Sequence, residues 1–87
     1  MTNEAIAKVV DQKKGTTAVN IHFKQRTTIT GIFVKAHDYA DLKAKNLWRI
    51  VTEKHMDTWK RTQDIAVAKI FNGADFTKLV EATQIKI

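Results

Sequence analysis

The chain has 87 residues, 44% of them hydrophobic, and its 15 Lys and Arg against nine Asp and Glu give a net charge of +6. These totals fit a single small domain, residues 1–87, and exclude the composition of a disordered chain. No apolar run approaches the ~20 residues of a membrane span, and the absence of cysteine excludes disulfides, thiolate metal sites and thiol catalysis.

A chain this short hides only ~60% of its unfolded surface, so self-association or a partner would add stability. The stretch Met1 to Lys14 lacks the basic start and continuous apolar segment of a secretory signal, which makes a soluble cytoplasmic protein the expectation. A basic excess attracts polyanions such as nucleic acid through counterion release, and it also serves solubility. The basic residues are spread along the chain, not gathered into a disordered arm.

Taken in order, Thr2 or Asn3 can cap a helix, and Glu4 in its first turn suits the positive end of the helix dipole. Ala5, Ile6, Val9 and Val10 form one apolar stripe at helical spacing, Lys13 and Lys14 occupy the last turn, and Gly15 follows. The pattern predicts a helix over about residues 3–14. From Thr16 the period changes to two. Val19, Ile21 and Phe23 alternate with Asn20, His22 and Lys24, which predicts a strand from Thr17 to Gln25. "KQRT" is a tight connection, and a β-branched second strand runs from Thr27 to about Lys35. Its alternation slips after Gly31. An interior glycine weakens a strand and marks a bulge, a bend or a close backbone approach; the expected use is a bend that lets one strand serve both sides of a barrel.

His37 to Asn46 reads as a polar loop with room for a turn of helix, and Leu47 to Lys54 as a third strand. Trp48 and Ile50 share one face of that strand; Leu47, Arg49 and Val51 share the other. His55 to Asp64 reads as a polar hairpin region with Trp59, Lys60 and Arg61 near its tip. The apolar run Ile65 to Phe71 suits a strand buried on both faces. Asn72-Gly73 is a strong turn dipeptide. Phe76, Leu79 and Val80 fit either a fifth strand or a short helical turn, and residues 81–87 form a C-terminal tail. The sum is mainly β: a small, strongly bent, five-stranded antiparallel barrel over about residues 16–80, with an N-terminal α-helix over one open end.

This arrangement resembles the Sm and Hfq-like family. Val19, Ile21, Phe23, Ile29, Gly31, Asp38 and Asn46-Leu47 occupy the places of the first Sm motif, and "IFNGADF", Ile70 to Phe76, is similar to the second. The resemblance covers about residues 4–80. The chain departs from the family at Arg26, where the usual residue is the turn glycine, and at Asn72, where an arginine often precedes the second-motif glycine. The segment from Asp38 to Asn46 is several residues longer than usual, and the Tyr-Lys-His run of Hfq is absent.

The resemblance implies an Sm-like barrel and a closed ring in which the fourth strand of one subunit pairs with the fifth of the next. It also implies single-stranded RNA bound at the pore by stacking and base-edge hydrogen bonds. Carried over, Asn46 is the base reader and Asp38 its orienting partner, Asn72 and Gly73 line the pore, and Tyr39 or His37 is the stacking surface. The residues also admit plainer roles. Asp38 and Asn46 flank a loop, where both types bond nearby backbone. Trp48 alternates as a core residue. Trp59 beside Lys60 and Arg61 offers either a second nucleic-acid or protein contact or a cross-strand partner.

His22, His37 and His55 are far apart, there is no serine and no Gly-rich phosphate loop, so no catalytic site, metal or cofactor is expected. The expected function is non-catalytic binding of single-stranded RNA by a homo-oligomeric ring. The alternative is a small-barrel module for protein interaction or assembly, without RNA binding.

Overall fold

A computed structural model of the chain describes residues 1–12 and 18–82. The first element is helix α1, Asn3–Gln12, where the predicted helix ran two residues further; Lys13, Lys14 and the expected terminating Gly15 lie outside the described residues. Thr2 is the cap, its hydroxyl accepting the Ala5 N–H at 3.1 Å. The apolar stripe buries Ile6, Ala7 and Val10.

The strands are β1, Val19–Phe23; β2, Ile29–Phe33; β3, Leu47–Thr52; β4, Lys69–Asn72; and β5, Phe76–Glu81. They form one antiparallel sheet in the order β4-β3-β2-β1-β5. Phe76 to Glu81 is therefore a strand and not a helical turn, and it takes in Glu81 of the expected tail; residues 83–87 lie outside the described residues.

The sheet is strongly bent. Consecutive strands β4 and β5 sit on opposite edges, yet only a 3-10 turn, Gly73–Asp75, joins them. Four strand spacings across a flat sheet come to about 19 Å. The four residue steps from Asn72 to Phe76 reach at most about 14 Å even when extended. Curling brings β4 against β1, and the rings of Phe71 and Phe23 lie 5.9 Å apart. The hydrogen-bonded order nevertheless ends at β4 and at β5, so the sheet is open rather than the closed barrel expected. At that corner β4 meets β1 through the rings of Phe71 and Phe23, not through strand pairing.

Gly31 sits at the centre of the bend. Ile29 to Gly31 pair with β1 and Gly31 to Phe33 pair with β3, so this is the one residue that β2 shares between both neighbours. Its backbone has no positive φ. The need is for closeness: a Cβ here would lie 2.6 Å from Ile50 Cγ2 and 2.9 Å from the Val51 carbonyl oxygen.

One face of the sheet and α1 enclose the main core: Ile6, Ala7, Val10, Val19, Ile21, Phe33, Trp48, Ile50 and Phe76. As the alternation in β3 predicts, Trp48 and Ile50 join it, whereas Val51 is buried outside that cluster, pairing with Ile32 across β2 and β3.

Three segments differ from the sequence reading. His37 to Asn46 holds a full short helix, α2, Tyr39–Ala44. The expected polar hairpin at His55 to Asp64 is instead a 3-10 turn, Glu53–His55, running into helix α3, Met56–Thr62. Asp57 in its first turn and Lys60 and Arg61 in its last match the dipole, and Gln63 in the left-handed region at φ 55° ends it. The run Ile65 to Phe71 is not a doubly buried strand. Asp64 accepts the Ala66 N–H at 3.0 Å and folds Ile65–Val67 into a 3-10 turn, leaving only Lys69–Asn72 as an edge strand with Ile70 exposed. No helix among the described residues is long and apolar enough to cross a membrane.

Candidate functional site

Asn46 is held in the left-handed region, at φ 60°, immediately before β3. Its Nδ2 donates to the Met1 carbonyl at 3.0 Å, and its Oδ1 accepts the Trp48 indole N–H at 2.8 Å. Its own carbonyl accepts the Gly73 N–H at 2.8 Å. The structure thus brings Asn46, Asn72 and Gly73 together, since Leu47 is also the register partner of Asn72. Both ends of the Asn46 amide are used inside the chain.

Asp38 precedes α2 and pairs with Arg49, whose Nη2 donates to Oδ2 at 2.6 Å. No hydrogen bond joins Asp38 to Asn46 among the described residues. Tyr39 opens α2 and stands edge-on to Trp48 with ring centroids 6.0 Å apart, so Trp48 bridges Tyr39 and Asn46. The ammonium groups of Lys35 and Lys43 lie 5.4 and 5.6 Å from the Tyr39 ring centroid. The Tyr39 hydroxyl donates to Asp11 Oδ1 at 3.3 Å, and Lys35 forms an ion pair with the same oxygen at 2.9 Å. Burial, and then the nearby Asp11 charge, push the Tyr39 phenol up to about 12. The Lys35 hydrogen bond holds the Asp11 carboxyl below its usual range. His37 is exposed. Trp59 is half-buried on α3, with Lys60 and Arg61 exposed beside it.

A different surface offers room. The loop between β1 and β2 folds Arg26 back so that its guanidinium carbon lies 5.1 Å from the Phe23 ring centroid and 5.8 Å from that of Phe71. This is a cation over two aromatic faces. Phe23, Arg26 and Phe71 line a cavity of about 330 Å³ whose rim includes Lys24, Gln25, Asn72 and Asp75. Arg26 and Phe71 also line a second cavity, of about 480 Å³, which continues past the start of β2 to Thr52, Lys54, His55 and Lys69. Arg26 and Phe71 line both cavities, and the groove so defined carries Lys24, Arg26, Lys54 and Lys69 together with Glu53 and Asp75.

No known protein family, curated protein or solved structure matches the chain.

The groove therefore stands on its own geometry. Of the residues that the sequence assigned to a binding site, only Asn72 lines it. Phe23, Arg26, Lys54, Lys69, Phe71 and Asp75 were missed as site residues. A signal existed in "FKQR": an aromatic ends the strand and two cations follow within the turn that must fold back over it. The contribution of Phe71 was hidden, because it depends on the bend that brings β4 against β1. Among the described residues, no group of three or more His, Cys, Asp or Glu is placed to hold a metal ion.

Proposed function

We propose that this protein is a non-catalytic, single-stranded RNA-binding protein that acts as a homo-oligomer. The observation that carries the reading is the groove in which Arg26 lies over Phe23 and Phe71 with lysines on both sides. Unpaired bases are bound by stacking on aromatic rings and guanidinium planes while basic groups follow the phosphates. The net charge of +6 adds attraction at longer range.

An Sm-like assignment is supported by three features: the strand order, the helix before β1, and the 3-10 turn between β4 and β5. Ring formation is supported by the edges. Ile70 on β4 is 48% exposed and Val80 on β5 is 37% exposed, on the two strands at the ends of the sheet order formed by the described residues. Apolar free edges favour pairing, and β4 of one copy against β5 of the next gives the head-to-tail contact of a ring. The same edges favour a second reading, a protein-interaction module that accepts an extended segment of a partner as an added strand.

Binding of a labelled random-sequence RNA oligonucleotide at two salt concentrations tests the proposal. Binding at low salt that falls steeply as salt rises is expected. Absence of binding at low salt would leave the protein-interaction reading in its place.

A further inference from the structure

We infer that the smaller cavity is a base-specific pocket for guanine in single-stranded RNA, an inference that rests on the RNA-binding reading above. Its volume of about 330 Å³ lies at the small end of ligand sites, which span roughly 300–1,000 Å³. Its walls suit a flat heteroaromatic ring: two phenylalanines at an interplanar angle of 49° and a guanidinium over both.

The polar rim decides which base. Asp75 lines the cavity, and its carboxylate has no hydrogen-bond or ion-pair partner among the described residues, although Lys24 and Arg26 line the same cavity. Its backbone carbonyl is engaged, accepting the Lys24 N–H at 2.9 Å. A free carboxylate repels phosphate and accepts hydrogen bonds only. Asn72, just before the Gly73–Asp75 turn, uses its Oδ1 to accept the Ala74 N–H at 2.9 Å, and its Nδ2 donor has no hydrogen-bond partner among the described residues. The rim therefore offers one amide donor and one two-oxygen acceptor.

Guanine presents the complementary edge: the O6 acceptor beside the N1–H and N2–H₂ donors. Adenine places an acceptor, N1, where the carboxylate needs a donor. Uracil flanks its single N–H with two carbonyls, and cytosine gives one amino donor beside an acceptor. The phosphates on either side of the base then fall to the neighbouring cavity, where Lys54, Lys69 and His55 lie.

The test uses the full chain and a labelled oligouridine carrying guanosine, inosine or adenosine at one internal position, with binding read by fluorescence anisotropy at low salt. A bidentate base-edge pair is worth roughly tenfold or more in discrimination, so guanosine should bind about tenfold tighter than adenosine, with inosine, which lacks the N2 amine, between them. Asp75→Asn should abolish that order, and because it removes a charge that repels phosphate, the adenosine oligonucleotide should bind the variant at least as tightly as the wild type. Guanosine monophosphate at equal concentration should not displace the oligonucleotide, because it carries one phosphate and no neighbouring nucleotide; displacement would overturn the assignment to a strand. Equal affinity for the three oligonucleotides overturns the guanine pocket and leaves RNA binding standing. Failure of all three to bind removes the RNA reading itself. The comparison of bases needs no variant, so a misfolded Asp75→Asn does not decide the matter.

Discussion

Asn46 ties three parts of the chain together: the Met1 carbonyl, the Trp48 indole and the backbone of Gly73. Asn46→Ala strands the buried Trp48 N–H and puts a non-polar residue into a left-handed conformation, so denaturant unfolding should show a loss of about 2 kcal/mol or more. A role limited to reading a base would leave stability untouched. Gly73→Ala tests the same junction from the other side. A Cβ there would press on Asn46 Oδ1 and lie 2.5 Å from Ile6 Cδ1 and 2.7 Å from Trp48 Nε1, against the helix and the core at once. Gly31→Ala meets a side-chain methyl that can shift and a Val51 carbonyl that cannot, and a destabilisation of ~1–3 kcal/mol is expected in the same assay. Tyr39 gives a spectroscopic check, because it is the only tyrosine in the chain. Its folded pKa of about 12 lies above its ordinary 10.0, so the folded state keeps a proton that the unfolded state releases. The stability tied to that proton is present below pH 10 and is lost as pH rises towards 12. Ultraviolet titration of the phenolate should give the raised midpoint, and Asp11→Asn should lower it part of the way, since burial remains.

At the scale of elements, what was legible in the sequence followed strict periodicity. The helix at Asn3–Gln12 and strands β1, β2 and β3 each have one face in a single core, so burial writes the period directly into residues such as Val19, Ile21, Trp48 and Ile50. The missed elements are those for which local hydrogen bonds overrode composition. Ile65 to Phe71 is apolar throughout, but the Asp64 side chain caps Ile65–Val67 and splits the run. Helix α3 carries Met56 and Trp59 three residues apart, a helical spacing, within a polar stretch short enough to pass for a hairpin tip. The site was less legible than the fold, because Phe23 and Phe71 are 48 residues apart and meet only through the bend. The split of the apolar run also moves the prediction about assembly. The exposed large hydrophobic residue on β4 is Ile70, and on β5 it is Val80. A lysine at either edge position opposes strand addition without entering the core. Ile70→Lys and Val80→Lys should each shift the protein towards monomer in light scattering at matched concentration, with circular dichroism unchanged. A wild type that is monomeric up to millimolar concentration would instead leave the edges free for a different partner.

For the molecule as a whole, the question is which of three surfaces the net charge of +6 serves. Tyr39 and Asn46 are both engaged inside the chain, the first with Asp11, Lys35 and Lys43 and the second with Met1 and Trp48. Trp59 with Lys60 and Arg61 stands on a separate helix that lines neither cavity of the groove. Only the groove joins a stacking surface to a track of cations, and the two parts make separable predictions. Phe71→Ala removes a stacking face and leaves the charges in place, so RNA affinity at fixed salt should fall by ~1–3 kcal/mol with the salt dependence unchanged. Lys54→Ala and Lys69→Ala remove cations on the exposed side, and each should reduce the slope of log affinity against log salt by ~0.7, the value for one phosphate of a single strand. Trp59→Ala should change neither quantity. Tyr39→Ala should weaken the attachment of α1 through Asp11 and so appear in thermal unfolding before it appears in binding. If Trp59→Ala costs more affinity than Phe71→Ala, the RNA runs over α3 and the groove is not its path.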